Sequence, residues 1–228
     1  QGGNTDLGAR AWVLAAQRVV RHDGLTAITN PLEFMNRVLE EGRALTDELP
    51  FDDCFATIGV GAFVDDHFHA FLQGDGCIAV ALANGGIEYW DIESPKNAPL
   101  YPQYLLQPEL IKAWDAMVEG ACARAKRFQY DADGTLLNMS VEDLDTQTFF
   151  NKVWSKDDVY AMLVCTDGVF TVPHKKDFDM LNDLFSVKDP TGAFIQRRIA
   201  AMQRAWIRNN ETYNADDLAV GAVWLPTP

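Results

Sequence analysis

Three acidic residues stand where a carboxylate could do chemistry. Asp75 lies in Gln-Gly-Asp-Gly, Asp167 in Thr-Asp-Gly and Asp216 in Asn-Ala-Asp-Asp-Leu-Ala-Val, each at the edge of a predicted strand. Hard divalent cations such as Mg²⁺ and Mn²⁺ prefer oxygen ligands, and carboxylates gathered from strand ends can hold them while water fills the open positions. The pattern indicates a metal site, although the sequence alone does not show that the three carboxylates converge.

Asp167 is the most informative of the three residues. It ends the apolar run 159–170, VYAMLVCTDGVF, which is typical of a buried strand followed by a turn. The end of a core strand is a rigid place to hold a carboxylate for a metal or a phosphoryl group. The alternative is a turn Asp followed by a turn Gly, which Asx-type hydrogen bonding explains without any function.

The remaining elements predict an α+β fold. Apolar periodicity favours helices over 5–21, 30–45, 110–118 and 177–185, and from Asp189-Pro190 onward, and it places Leu7, Ala11, Leu14, Ala15 and Val19 on one buried stripe of the first helix. Strand-like runs at 55–63, 68–72, 78–82 and 87–90 are separated by short turn sequences, as in an antiparallel meander, and a last strand covers 218–225. Residues 95–108 read as a proline-rich ordered loop, and the pattern of 123–155 favours no element. Such an order favours antiparallel sheets covered by helices.

Composition limits the possible partners and compartment. Of 228 residues, 48% are apolar and 11% aromatic, which indicates a folded globular protein, and no linker divides the chain. The formal charge of −14 argues against nucleic acid and against anionic membrane surfaces. No apolar run reaches membrane-spanning length, the first residues lack the parts of a secretory signal, and the four cysteines are scattered. We therefore expect reduced thiols and a cytoplasmic protein.

Five short motifs, in the same order and at similar spacing, resemble those of the metal-dependent Ser/Thr protein phosphatases of type 2C, the PPM family. The matching positions are Gln1-Gly2-Gly3 before a helix, against Asp-Gly-x-Gly-Gly; Phe55-Ala56-Thr57 opening a strand; Gly74-Asp75-Gly76, against Gly-Asp-Ser; Thr166-Asp167-Gly168, against Ser-Asp-Gly; and Asp216-Asp217-Leu218-Ala219-Val220, against Asp-Asn-x-Thr-Val.

The resemblance implies one catalytic domain over 1–228, in which two packed, mainly antiparallel β-sheets are flanked by helices in four layers, with a variable flap at about 93–155. It implies two or three Mn²⁺ or Mg²⁺ ions, with Asp167 and Asp216 at the binuclear centre as catalytic residues and Asp75 at a further, weaker site. The implied activity is hydrolysis of phosphoserine and phosphothreonine in proteins by metal-activated water. The implied partners are a phosphoprotein substrate, such as a cognate Ser/Thr kinase or its targets, and the expected state is a monomer.

Two departures from the family pattern qualify these expectations. The family's Asp-Gly should stand directly before Gln1, and the preceding strands, with a further acidic ligand and an arginine, are also missing. An N-terminally incomplete domain is expected to show unpaired strand edges and an open core. A non-catalytic relative acting as a binding or regulatory module is the alternative. In addition, Asp217 stands where the family usually has Asn, and Gln1 takes a position that is His in some members, so water is expected to protonate the leaving group.

Other motifs have simpler explanations. The run 131–137, DADGTLL, is similar to the first motif of the haloacid dehalogenase superfamily, whose first Asp is a phosphorylated nucleophile, but the polar residues before it favour a hairpin turn. His67 and His69 share one face of a strand and could bind a metal, although surface or edge histidines are commoner. His174 could meet a substrate phosphate, and a solvated loop is again the commoner explanation.

Overall fold

Nine strands form two antiparallel sheets in this computed structural model, which describes residues 5–144, 149–173, 175–209, 211 and 217–225. A three-stranded sheet has the order β1-β2-β7, and a six-stranded sheet has the order β6-β5-β4-β3-β8-β9. The strands are β1 Ile58–Val64, β2 His67–Gln73, β3 Gly76–Leu82, β4 Ile87–Glu93, β5 Ala123–Tyr130, β6 Leu136–Leu144, β7 Phe150–Ser155, β8 Val159–Cys165 and β9 Val220–Trp224.

Helices cover the outer faces of both sheets. They are α1 Thr5–Asp23, α2 Pro31–Thr46, α3 Pro102–Leu105, α4 Pro108–Val118, α5 Asp177–Phe185 and α6 Phe194–Arg208. One apolar cluster lies between the sheets, a second joins α1 and α2 to the three-stranded sheet, and a third joins α5 and α6 to the six-stranded sheet. The layers therefore run helix, sheet, sheet, helix, which confirms the predicted α+β fold with two packed sheets. No helix in the described ranges is long and apolar enough to cross a membrane.

Local sequence explains where most elements begin. Pro31 opens α2, and the Asn30 side chain accepts a hydrogen bond from the Glu33 amide at 3.4 Å, as expected for a helix cap. The helix predicted from Asp189-Pro190 begins later, at Phe194. The reason is local, because the Asp189 carboxylate accepts hydrogen bonds from the amide and hydroxyl of Thr191 and holds a turn there.

Two sequence interpretations need correction in the helical layer and the middle of the chain. Leu7 and Leu14, expected on the buried stripe of α1, are exposed, whereas Trp12, Ala15 and Val19 are buried. The segment without a legible pattern contains β5, β6 and β7. β6 shows no strand signal because nearly all its residues are exposed on both faces, so alternation of polar and apolar residues is not required.

The turn that joins β5 to β6 confirms the hairpin interpretation of the DADG run. The Asp131 carboxylate accepts hydrogen bonds from the amides of Asp133 and Thr135, at 3.0 and 2.8 Å. Gly134, at φ +82°, occupies the left-handed position that such a turn requires. Asp131 is thus occupied in stabilising the turn.

An open apolar groove lies beside two free strand edges. Among the described strands, β1 pairs only with β2, and β9 only with β8. Between them, α1 forms the wall of a groove of about 630 Å³, whose lining includes Val13, Val20, Val60 and Val220. The free edges and open core expected from the sequence are therefore present in the described part of the chain.

The two sheets approach closely because β1 carries glycines where it faces β8. A Cβ atom added at Gly59 would lie 2.3 Å from Val164 Cγ1 and 3.2 Å from Leu72 Cδ1. Val164 is β-branched and lies in the buried cluster between the sheets, so it cannot move aside freely. Glycine at position 59 is required by this close packing of one sheet on the other.

We expect Gly59→Ala to lower the free energy of unfolding by about 1–3 kcal/mol, the usual cost of overpacking a core. Gly221→Ala is the matched control, because its added Cβ would come no closer than 3.8 Å to the carbonyl oxygen of the same Val164. The control is expected to lie within about 0.5 kcal/mol of wild type. Urea unfolding of the three proteins measures the difference, and equal stability of the two variants would contradict the packing argument.

Candidate functional site

The pairing of β3 with β8 places two of the three candidate carboxylates at one end of the strands, where β3 begins and β8 ends. This end is the site edge of the sheet. Cys77 lies opposite Cys165 in this antiparallel pair. Because the strands run in opposite directions, β3 begins where β8 ends. Asp75, two residues before Cys77, and Asp167, two residues after Cys165, therefore lie at the same end of the sheet. Asp75 lies in the turn directly before β3, and Asp167 lies in the segment directly after β8.

Gly76 allows the two strand ends to approach. A Cβ atom at this position would lie 2.4 Å from the carbonyl oxygen of Cys165 and 3.4 Å from Cα of Thr166. Gly76 also has φ +140°, a backbone conformation that other residues rarely adopt. The glycine in Gly-Asp-Gly is therefore needed to bring the Asp75 turn against the end of β8.

Thr57 links Asp75 to the other sheet. Its hydroxyl donates a hydrogen bond to Oδ1 of Asp75 at 3.1 Å. Gly74, at φ +108°, makes room for this contact, because a Cβ there would lie 2.6 Å from the Thr57 hydroxyl oxygen. Thr57 directly precedes β1, so the carboxylate of Asp75 lies where the edges of the two sheets meet.

Thr166 ties the segment before β9 to the same edge. Its amide donates to the carbonyl oxygen of Ala219 at 3.0 Å, and its hydroxyl donates to the carbonyl oxygen of Asp217 at 2.9 Å. The same hydroxyl oxygen accepts a hydrogen bond from the Ala219 amide at 3.0 Å. Residues 217–219 are thus held beside Asp167. Asp216, which precedes them in the chain, lies outside the described residues.

A further carboxylate, Asp91, was missed by the sequence interpretation. It lies on β4, opposite Cys77 of β3 and Lys126 of β5. Burial, followed by the charge of Glu93, raises its pKa to about 6; Asp177 and Asp167 contribute to this rise, and Lys126 acts in the opposite direction. The sequence signal for Asp91 was an acidic residue between Trp90 and Ile92 within a strand-like run. Its apolar neighbours predict burial, and a buried carboxylate is uncommon.

A second buried polar contact adjoins Asp91. The Tyr89 hydroxyl donates a hydrogen bond to Oδ2 of Asp177 at 3.0 Å, and burial together with the Asp177 carboxylate raises the pKa of Tyr89. Asp177 begins α5, so this contact ties the helix to the sheet near the strand ends. The edge of the sheet that carries Asp167 is therefore strongly acidic.

The donor atoms at this edge favour a hard cation. Asp75 and Asp167 offer carboxylate oxygens, the ligands that Mg²⁺ and Mn²⁺ prefer. The two adjacent thiols are unsuitable ligands, because burial raises the pKa of Cys165 to about 12 and that of Cys77 well above its ordinary value. Within the described residues, no group of three or more His, Cys, Asp or Glu side chains is placed to hold a metal ion.

The histidines do not contribute to this edge. His67 begins β2, at the end opposite Gln73 and the Asp75 turn, and is exposed. The rings of His67 and His69 lie 6.3 Å apart, and burial followed by the charge of His67 lowers the pKa of His69. β2 is the middle strand of the three-stranded sheet, so the pair is not on an edge strand, and the exposed His67 fits the explanation as surface histidines. His174 lies outside the described residues.

The chain matches no protein-family model, no curated protein and no solved structure. The resemblance to the type 2C phosphatases therefore rests on the five motifs in the sequence.

We expect Asp91→Asn to change how stability depends on pH. Because the pKa of Asp91 is raised in the folded protein, its ionisation opposes folding, and wild-type stability falls as pH rises from about 4 to about 6. The variant lacks this ionisation and is expected to be more stable than wild type above pH 6, by about 2 kcal/mol, with the difference shrinking toward pH 4.

Urea unfolding at a series of pH values, in buffer containing EDTA, measures this difference. Asp133→Asn, an exposed carboxylate of the hairpin turn, is the control and is expected to keep the wild-type pH profile. A constant difference between Asp91→Asn and wild type across this range would show that Asp91 does not titrate as described.

Proposed function

We propose that the protein is a cytoplasmic, metal-dependent phosphatase that hydrolyses phosphoserine and phosphothreonine in proteins through a binuclear Mn²⁺ or Mg²⁺ centre. The observation that carries the proposal is the meeting of Asp75 and Asp167 at one edge of the six-stranded sheet, where Thr166 also fastens the 217–219 segment. Thr57, Asp75, Asp167 and residues 217–219, which belong to four of the five motifs, support the proposal by lying near one another, while Gln1-Gly2-Gly3 and Asp216 lie outside the described residues.

The proposal gives each residue at this edge a physical role. Asp75 and Asp167 would hold the ions with Asp216, and Asp167 and Asp216 are the catalytic residues. Thr57 positions the Asp75 carboxylate, and Thr166 positions the backbone that follows Asp216. When bound, the ions supply an activated water and neutralise charge on the phosphoryl oxygens.

The charge of the protein agrees with this role. The formal charge of −14, together with Asp91 and Glu93 near the strand ends, produces a negative potential that attracts divalent cations. The same charge disfavours nucleic acid and anionic membranes as partners. The proposed partners are therefore phosphoproteins, such as a cognate Ser/Thr kinase or its targets.

A non-catalytic binding or regulatory module is the second candidate. The observation that favours it is the departure of the sequence from the family pattern, in which Asp217 stands where Asn is usual and Gln1 where some members have His. Such a module would keep the fold and the acidic edge without turning over a phosphoester. A phosphotransferase that uses Asp131 is disfavoured, because that carboxylate caps the turn between β5 and β6.

Hydrolysis of p-nitrophenyl phosphate tests the proposed activity directly. We expect turnover in the presence of Mn²⁺, loss of turnover in EDTA, and a rate at least about 100-fold lower for Asp167→Asn, because the variant lacks a charged metal ligand. Asp131→Asn is the control and is expected to keep full activity. Turnover that persists in EDTA, or that depends on Asp131 and not on Asp167, would overturn the proposal.

The same proteins separate the two candidate functions. If no turnover is seen, a Mn²⁺-dependent rise in thermal stability that is lost in Asp167→Asn would support a metal-binding, non-catalytic module. If neither turnover nor stabilisation by Mn²⁺ is seen, the metal site itself is wrong.

A further inference from the structure

The strand β6 is unusually exposed for a long strand at the edge of a sheet. Among the described strands it pairs only with β5, and its first eight residues are all exposed. Leu137, Met139 and Val141 are 59, 57 and 51% exposed. Edge strands normally carry charged residues, proline or a bulge that prevents pairing with another chain. β6 has Glu142 and Asp143 near its end and a register irregularity against β5 beside Leu137, whereas residues 138–141 between them contain neither a charge nor proline. The free edge of β6 is thus open to another strand.

Two of the exposed apolar residues of β6 lie on the same face of the sheet as buried apolar residues of the neighbouring strands. Met139 and Val141 share one face of β6, C-terminal to the register irregularity beside Leu137. Met139 lies opposite Phe128 of β5, whose ring stacks on that of the buried Tyr89 with centroids 4.8 Å apart. A strand added beside β6 would therefore extend an apolar face that is already buried at β4.

We propose that two copies of this chain pair through their β6 strands, antiparallel and about a two-fold axis at Ser140. In this arrangement Met139 lies opposite Val141 of the second copy, in the regular part of β6. The apolar centre of one strand thus meets the apolar centre of the other, and the backbone groups of both free edges are paired. The proposed dimer differs from the monomer expected from the sequence.

The charges on β6 select this orientation. Glu142, whose carboxylate lies 3.6 Å from the ammonium of Lys152 in its own chain, lies opposite Asn138 of the second copy, an amide that can donate to it. The two Glu142 residues are four positions apart along the pair, about 13 Å, which exceeds the Debye length of about 8 Å at physiological ionic strength. A parallel, in-register pair would instead place them about 4.8 Å apart. Antiparallel pairing is therefore the arrangement in which no carboxylate faces another.

The symmetry also limits the assembly to two copies. A two-fold axis uses the same edge of both copies, so each β6 is covered once and no further β6 edge is left. The opposite edge of the same sheet is β9, whose sequence differs from that of β6 and takes no part in the pair. The result is a closed dimer with one continuous sheet of twelve strands.

Sedimentation equilibrium at micromolar concentrations tests the pairing with a matched pair of variants. Val141→Lys places a charge on the apolar face of β6 and is expected to weaken dimerisation at least about tenfold. Val153→Lys makes the same change at a valine that is 52% exposed on β7, another edge strand, and is expected to leave the dimer intact. A wild-type monomer, or equal effects of the two variants, would overturn the proposal.

A disulfide tests the register. In a Cys122→Ser background, which removes the one exposed cysteine among the four, Ser140→Cys is expected to form a covalent dimer on mild oxidation, because the two-fold axis places residue 140 opposite itself. Glu142→Cys, whose partner residue is Asn138, is expected to cross-link much less. Preferential cross-linking at position 142 would show that the proposed register is wrong.

Discussion

The pairing of β3 with β8 is the constraint on which the rest of the structure depends. Both strands lie at the centre of the six-stranded sheet and are buried on both faces. Their register cannot slip by one residue without moving apolar side chains from one core to the other. Because that register is fixed, the segments that adjoin the ends of these strands are fixed as well, and Asp75 and Asp167 lie at the same end of the sheet.

Small residues determine how the three-stranded sheet contacts this end of the six-stranded sheet. Glycines on β1 let the three-stranded sheet lie close to β8, and the same approach brings Thr57 within hydrogen-bond distance of Asp75. On the other side, Thr166 makes three hydrogen bonds to the segment before β9. The candidate site is thus held by a threonine on each side of two paired strand ends, and its precision depends on the packing of the sheets.

Sequence patterns predicted the strands that are buried and missed those of the middle segment, which are largely exposed or half-buried. β3 and β8 were recognised because a strand covered on both faces needs an unbroken apolar run. β6 was missed because exposure on both faces leaves its sequence without a pattern. The predicted burial of α1 was wrong at Leu7 and Leu14, because the covered face of the helix runs through Trp12, Ala15 and Val19, which pack against α2 and the three-stranded sheet.

The candidate site was predictable in part, for a related reason. Asp75 and Asp167 were found because glycines mark the turns that hold them, and a turn signal is local in sequence. Asp91 was missed because its environment depends on Lys126, Asp177 and Asp167, which only the fold brings near it. The meeting of Asp75 with Asp167 likewise required the register of β3 and β8, which the sequence did not contain in readable form.

Two features of the chain conflict with the general rules of stable folding. Burial of the Asp91 carboxylate, followed by the charges of neighbouring carboxylates, raises its pKa and so opposes folding, whereas a divalent cation would reverse the sign of the charge interaction; at 4 Å, two opposite unit charges near a protein surface attract by about 4 kcal/mol. A long apolar edge strand exposes backbone groups that another strand can pair. Natural sequences keep such conflicts mainly where function requires them. The proposed cation and the proposed second β6 strand would each remove one of these conflicts.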